Sequence, residues 1–203
     1  MAVVATVQLH MHPNGDEASL FDVEPTLAFA HGACRYETRS AHDEQRLFFV
    51  CSYDASGALV CKTSMTRVGA HAVPVPHGPE TLFAQPARAG VAPLVIGRRH
   101  YVEGKLHGRE EVLVCLEHKL CSRRVALFTW HRGELHGEQF VYDADTGKLT
   151  GYYRMRHGRL HGWRYAMSAG RLMLYEYGAL QTVLEQSGNC SLRKLRAMNA
   201  STD

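Results

Sequence analysis

The 203-residue chain has no window approaching ~18 consecutive apolar residues, and that excludes a helix crossing a membrane. It has no CxxC pair among its six cysteines, Cys34, Cys51, Cys61, Cys115, Cys121 and Cys190, so a thiol metal cage or a disulfide-stapled small fold is not expected. Reduced, mostly buried thiols are the expectation. No nucleophile elbow, Walker loop, HExxH or dinucleotide fingerprint occurs, so nothing in the sequence points to catalysis, and no cofactor is expected. Met1 to Leu9 carries no positive charge before its short apolar run and no small-residue cleavage site after it. The segment does not read as a signal peptide, and an intracellular protein is expected. Charged residues at 21% beside 45% hydrophobic ones exclude a disordered polyampholyte.

What the chain has instead is glycine and histidine, 18 and 13 of them, arranged in a pattern. The word Gly-x-Leu-x-Gly occurs four times, as Gly104-Lys-Leu106-His-Gly108, Gly133-Glu-Leu135-His-Gly137, Gly147-Lys-Leu149-Thr-Gly151 and Gly158-Arg-Leu160-His-Gly162. Its first half recurs at Gly57-Ala-Leu59, Gly170-Arg-Leu172 and Gly178-Ala-Leu180. The first glycines from Gly104 onward are spaced 29, 14, 11, 12 and 8 residues apart, and His118-Lys119-Leu120 stands where the 29-residue gap lacks a word. Upstream the pattern fades: Gly90 precedes Gly104 by 14 residues and His77-Gly78 precedes His107-Gly108 by 30, with His31-Gly32 a fainter echo. Such self-similarity is the signature of a repeat array.

Between the glycines lie stretches such as Gln139 to Tyr142, Tyr152 to Met155, Trp163 to Met167 and Leu172 to Tyr177, rich in aromatic and β-favouring residues. In the third, Trp163, Tyr165 and Met167 alternate with Arg164, Ala166 and Ser168, the period of a half-buried strand. The first Gly of each word supplies the positive φ of a tight turn, the next residue is exposed, and the Leu re-enters the core. The second Gly marks a bulge or the close crossing of a neighbouring ring. The fold class is therefore all-β, an elongated antiparallel sheet of stacked hairpins with contacts between neighbours only. If Leu106, Leu135 and Leu160 are core residues, truncating each to Ala costs ~2 to 5 kcal/mol.

Tyr153-Arg-Met-Arg-His-Gly158-Arg-Leu-His-Gly162-Trp163-Arg-Tyr165 resembles MORN repeats, in particular the second MORN variant of bacterial antitoxin-like proteins. The resemblance is clearest over 101–180 and extends weakly back to about Phe48. It departs from the commoner form in lacking Gly-x-Gly after the second Gly, where Arg109, Glu138 and Trp163 follow directly. The resemblance implies a stacked-hairpin scaffold for contact with a protein partner, or for acidic lipid head groups, and no catalytic residue. It also raises an antitoxin or immunity-type neutraliser of a partner protein.

The organisation that follows is a divergent N-terminal cap at 1–46, a repeat array at 47–182 and a tail at 183–203 in which Ser191 to Met198 has helix-forming residues. Within the cap, Pro13-Asn14-Gly15 reads as a turn between Val3 to Leu9 and Leu20 to Val23. The stretch Gly69 to Pro93, with five of the seven prolines, reads as an irregular loop over the sheet.

Three sets of residues are candidates for chemistry. Lys148, Arg154, Arg156, Arg159, Arg164 and Arg171 face no acid between Thr146 and Tyr175, and could meet acidic lipid or nucleic acid, or form a solvated strand face. His107, His136 and His161 hold equivalent repeat positions and would form an imidazole ladder, a metal site only if further ligands join it; none recurs beside them, so no metal is expected. His10 and His12 could chelate on one strand. Asp143 and Asp145 look like a carboxylate pair, but Tyr142-Asp-Ala-Asp-Thr-Gly147 parallels Tyr53-Asp-Ala-Ser-Gly57, so they read as turn formers.

Overall fold

The computed structural model describes residues 34–38, 48–54, 56–66, 73–85, 91–116, 121–166, 170–185 and 190–200. They form one antiparallel sheet of fifteen strands and one helix. The strands are β1 (Cys34–Thr38), β2 (Phe48–Tyr53), β3 (Leu59–Thr66), β4 (Val75–Ala84), β5 (Leu94–Val102), β6 (Lys105–Leu106), β7 (Gly108–Leu116), β8 (Cys121–His131), β9 (Glu134–Leu135), β10 (Gly137–Tyr142), β11 (Leu149–Arg156), β12 (Arg159–Leu160), β13 (Gly162–Ala166), β14 (Arg171–Glu176) and β15 (Ala179–Glu185). Helix α1 is Leu192–Ala200. Long strands pair in chain order, and the two-residue strands β6, β9 and β12 pair back onto the strand before each turn. This is the hairpin stack that the glycine spacing predicts.

The repeated word has one local geometry. At Glu103-Gly104, Arg132-Gly133, His157-Gly158 and Tyr177-Gly178 both residues have positive φ, from 49° to 90°. That pair defines a type I′ turn, whose twist matches the flanking strands. The second glycines Gly108, Gly137 and Gly162 also have positive φ, between 80° and 96°, and there the register jumps. Tyr101 pairs with Leu106 before the break and Gly97 with Val112 after it, so the outgoing strand carries two extra residues, His107 and Gly108. Trp130↔Leu135 with Leu127↔Phe140, and Met155↔Leu160 with Gly151↔Ala166, repeat the same bulge. Gly151 is the exception, since Gly147 closes a longer turn in which Asp143 Oδ1 accepts from the Thr146 N–H and hydroxyl at 2.7 Å each. Asp54 does the same for Ser56 and Ala58, so the parallel between the two Asp-led loops is one of turn formation.

Successive turns are latched together. The amide of a type I′ turn glycine donates to the Leu carbonyl that follows the previous type I′ turn: Gly133 to Leu106 at 2.8 Å, Gly158 to Leu135 at 3.0 Å and Gly178 to Leu160 at 2.8 Å. Gly104 donates to Pro76 O at 2.8 Å, so Val75-Pro76-His77-Gly78 is a degenerate copy of the word.

Both faces of the sheet carry a buried cluster over its C-terminal half. On one, Phe140, Tyr152, Tyr165, Leu172 and Cys190 pack with Leu195 of α1. On the other, Ala126, Phe128, Trp130 and Tyr153 form a second core, against which Leu106, Leu135 and Leu160 lie half-buried. Ser191 caps α1 through its hydroxyl to the Lys194 amide, Asn199 Oδ1 accepts the Trp163 amide at 2.6 Å, and Arg196 makes a two-pronged bond to Glu138 at 2.7 Å. The tail therefore docks on the sheet, and β15 runs on to Glu185, past the expected array boundary at 182.

Three expectations need correction. The proline-rich stretch Gly69 to Pro93 contains β4, a full member of the sheet. The register with β3 is broken between Thr63 and Met65; Pro79 falls within that break, and Pro76 stands opposite Met65 where pairing resumes. Arg164 and Ala166 are buried along with Tyr165, so β13 is covered on both faces rather than half-exposed. Leu106, Leu135 and Leu160 are only half-buried, whereas Leu172 is 1% exposed. Of the N-terminal cap, β1 extends the sheet beside β2; Pro13-Asn14-Gly15, His10, His12 and His31-Gly32 lie outside the described residues, as does His118-Lys119-Leu120.

Candidate functional site

The type I′ turns bring the histidines to one margin of the sheet. Each Leu-His-Gly word places its histidine at the bulge, where the amides of His107, His136 and His161 donate to the carbonyls of His100, Thr129 and Arg154 at 2.8, 2.8 and 2.9 Å. Their rings do not touch one another. His131 stands between His107 and His136, with centroid separations of 5.1 and 5.7 Å; His157 follows His136 at 5.4 Å, and His161 stacks on Tyr177 at 4.8 Å. The ladder is thus a mixed row from turn and bulge positions, and the same-word equivalence sees only alternate members of it. Nδ1 of His77 and of His161 accepts the first amide of the next turn, from Glu103 and Tyr177. The Nδ1 atoms of His107 and His136 are buried without a hydrogen-bond partner among the described residues.

Among the described residues, no three His, Cys, Asp or Glu side chains are arranged to hold a metal ion, so this geometry gives His107, His136 and His161 no support as ligands. The row instead borders a cavity of about 360 Å³ lined by His136, Gly137, Arg154, Met155, Arg156, His157 and His161. Burial, then repulsion from His157 and His131, push the His136 imidazole below its ordinary value of 6.5. Two guanidinium groups and three imidazoles with no carboxylate in the wall make the cavity suited to an anion. Glu134 lies just outside, 3.4 Å from His157 Nδ1.

The six basic residues do not share one face. Arg154 and Arg156 line the cavity, and Arg159 is exposed in the adjacent turn. Lys148 is exposed in the Asp143 loop, after β10 rather than after β11. Arg164 is only 4% exposed, with a guanidinium N–H 3.4 Å from the Tyr175 hydroxyl, and Arg171 pairs with Glu185 at 3.4 Å. The reason is strand parity: Arg154 and Arg156 alternate with the buried Tyr153 on β11, and because Tyr152 pairs with Tyr165, Arg164 on β13 falls on the face of Tyr153, opposite to Arg154; the bulge at His161-Gly162 adds two residues and leaves that parity unchanged.

A buried polar set was missed by motif reading. The residue two places after the second glycine is Glu80, Glu110, Gln139 or Arg164 in successive copies, and these are 6%, 3%, 0% and 4% exposed. Thr63 donates to Glu80 at 2.7 Å, Arg99 bonds Glu80 and lies 3.8 Å from Glu110, and Trp130 Nε1 donates to Glu110 at 2.8 Å. The row crosses β3, β4, β5, β7 and β8. Burial holds the Glu110 carboxyl above its usual value, against the lowering effect of Trp130 and Arg99. Gln139 spans the bulge, accepting from the Thr129 amide at 2.9 Å and donating to its carbonyl at 3.1 Å. The signal available in the sequence was a polar residue at a fixed offset from a glycine.

The last strand differs from the strands inside the sheet. All seven residues of β15 are exposed, and Leu180, Val183 and Leu184, at 51%, 45% and 44%, stand beside Tyr177 at 52%. No helix among the described residues is long and apolar enough to cross a membrane. Compared with known proteins, the chain has no significant match to a family model, a curated protein or a solved structure.

Proposed function

We propose that the chain is a non-enzymatic, intracellular scaffold of MORN type whose hairpin array presents a protein-binding edge. The observation that supports this reading is β15, the edge strand of the sheet among the described residues, whose outer side pairs with no described strand and which exposes Leu180, Val183 and Leu184. Natural edge strands are blunted by lysine, proline or cover, and an apolar one left bare takes up a strand or apolar surface of a partner. A neutraliser of a partner protein is one form this contact takes. Affinity capture of the native chain with mass spectrometry tests it: a partner retained at high salt, and lost from a Leu180→Lys/Leu184→Lys chain, is expected. A partner held equally by both chains refutes the assignment to β15.

The cavity beside the histidine row favours a second reading, an acidic lipid or nucleic acid ligand. Binding of this kind falls steeply with salt and is abolished by Arg156→Glu with Arg159→Glu. Salt-insensitive binding to anionic vesicles or nucleic acid counts against it.

A further inference from the structure

We infer that the partner of β15 is a second copy of this chain, joined edge to edge about a two-fold axis so that two arrays form one continuous sheet. The inference rests on the reading of β15 as a protein-contact edge. In the sheet each strand from β2 to β14 lies antiparallel to its neighbours, and the place beyond β15 calls for another antiparallel strand. A two-fold axis normal to the sheet, just outside the edge, supplies one, because it sets a strand antiparallel to its own copy.

The side chains agree with that symmetry. Thr182, Val183, Leu184 and Glu185 keep unbroken register with Leu174, Met173, Leu172 and Arg171, and the irregularity falls at Gln181. An axis level with Val183 sets Val183 against its own copy on one face. On the other it sets Leu184 against Thr182 of the second copy, twice. Leu180, opposite Tyr175, shares the face of Val183 and extends the apolar seam. Glu185, the strand's single charge, is paired with Arg171 of its own chain and would face Gln181 across the axis, so no like charges are opposed. Pairing β15 with β1, the other edge of the sheet among the described residues, would propagate head to tail without closing.

Sedimentation and light scattering of the full chain over a concentration series read the assembly. The expected result is a species of twice the 22.7 kDa chain mass, with no larger species as concentration rises. Val183→Lys and Val183→Glu each place like charges on the axis and are expected to weaken the dimer by about ten-fold or more. Mixing the two variants restores it, because Lys then faces Glu. Val183 is exposed, so unchanged melting of the isolated variants separates lost pairing from lost folding. A wild-type chain that stays monomeric, a mass that grows without limit, or a mixture that fails to reassociate overturns the self-pairing. If a foreign protein is captured by the monomeric wild type and lost on Val183→Lys, the self-pairing falls and the protein-contact reading stands. A dimer indifferent to both variants also overturns the self-pairing through β15.

Discussion

The four second glycines look alike in sequence, yet their surroundings predict three different costs for Gly→Ala. Gly151 lies in extended strand, and an added Cβ would sit 3.5 Å from Val141, an ordinary contact. Gly151→Ala is expected to be close to neutral, since the unfolded chain loses entropy worth ~0.4 to 1 kcal/mol. Gly108 has φ of +81° with nothing within 4 Å of the new methyl, and Gly137 has +80° with Thr129 at 3.8 Å. Both pay the left-handed backbone alone, ~1 to 2 kcal/mol. Gly162 has φ of +96°, and its Cβ would come within 2.3 Å of Asn199 Oδ1. Asn199 has little room to retreat: it is 3% exposed, holds the Trp163 amide at 2.6 Å and donates to the Tyr152 hydroxyl at 3.1 Å. Displacing it adds ~1 to 3 kcal/mol for a buried amide left unpaired, so Gly162→Ala is expected to cost about 3 kcal/mol in all. Urea unfolding followed by the fluorescence of Trp130 and Trp163 measures the series. The decisive comparison is a double-mutant cycle with Asn199→Ala: the truncation removes the conflict, and the pair should cost less than the sum of its parts. Equal costs at Gly108, Gly137 and Gly162, or an additive cycle, would refute the proposed contact between bulge and helix.

Leu172→Ala, at a site 1% exposed, is expected to cost ~2 to 5 kcal/mol. Leu106→Ala, Leu135→Ala and Leu160→Ala, half-buried, should each cost about 1 to 2 kcal/mol in the same assay, and a Leu106 cost equal to that of Leu172 would contradict the packing. Arg99→Ala strands Glu80 and Glu110 without their cation and should destabilise by ~3 to 5 kcal/mol, with partial recovery when Glu80→Gln is added. The bond from Arg196 holds the Glu138 carboxyl below its ordinary 4.5, so the docking of α1 is at full strength above that pH and is lost as pH falls through the lowered value. Amide exchange in α1 should accelerate over that window in the wild type and show no such step in Glu138→Gln. His136 is lowered from 6.5, so the unfolded chain takes up its proton first and stability declines as pH falls below 6.5. Melting curves of His136→Gln should show a shallower decline.

The word Gly-x-Leu-x-Gly encodes turns and bulges because both need backbone that only glycine adopts cheaply, and that requirement is local. Four I′ turns and three bulges were therefore legible from spacing, as was the direction of stacking. What the run of basic residues does not display is the parity that the hairpin pairing imposes. Arg154 and Arg164 lie ten residues apart in an alternating pattern, but across the two-residue turn even positions meet odd ones, as Tyr152 meets Tyr165, so the two arginines fall on opposite faces and divide between cavity wall and interior. The same blindness explains β4. Its two prolines argue against a strand when read alone, and only the neighbouring register shows Pro79 within the break against β3 and Pro76 at its end, opposite Met65. The buried row from Thr63 to Trp130 depends on five strands whose order follows from the meander, and its members are named by no motif. Once the order is fixed, their pairing follows almost mechanically: Thr63 lies opposite Glu80 and Glu80 opposite Arg99, so each carboxylate meets a donor across the ladder. Burial of Glu80, Arg99 and Glu110 is costly unless each is paired, and a slip of one residue in any of those strands would leave a charge uncompensated in the interior. The polar row thus penalises misregistration in the half of the array where the glycine word is degenerate. Where the word is complete, the glycine-to-leucine latches between turns do the same work.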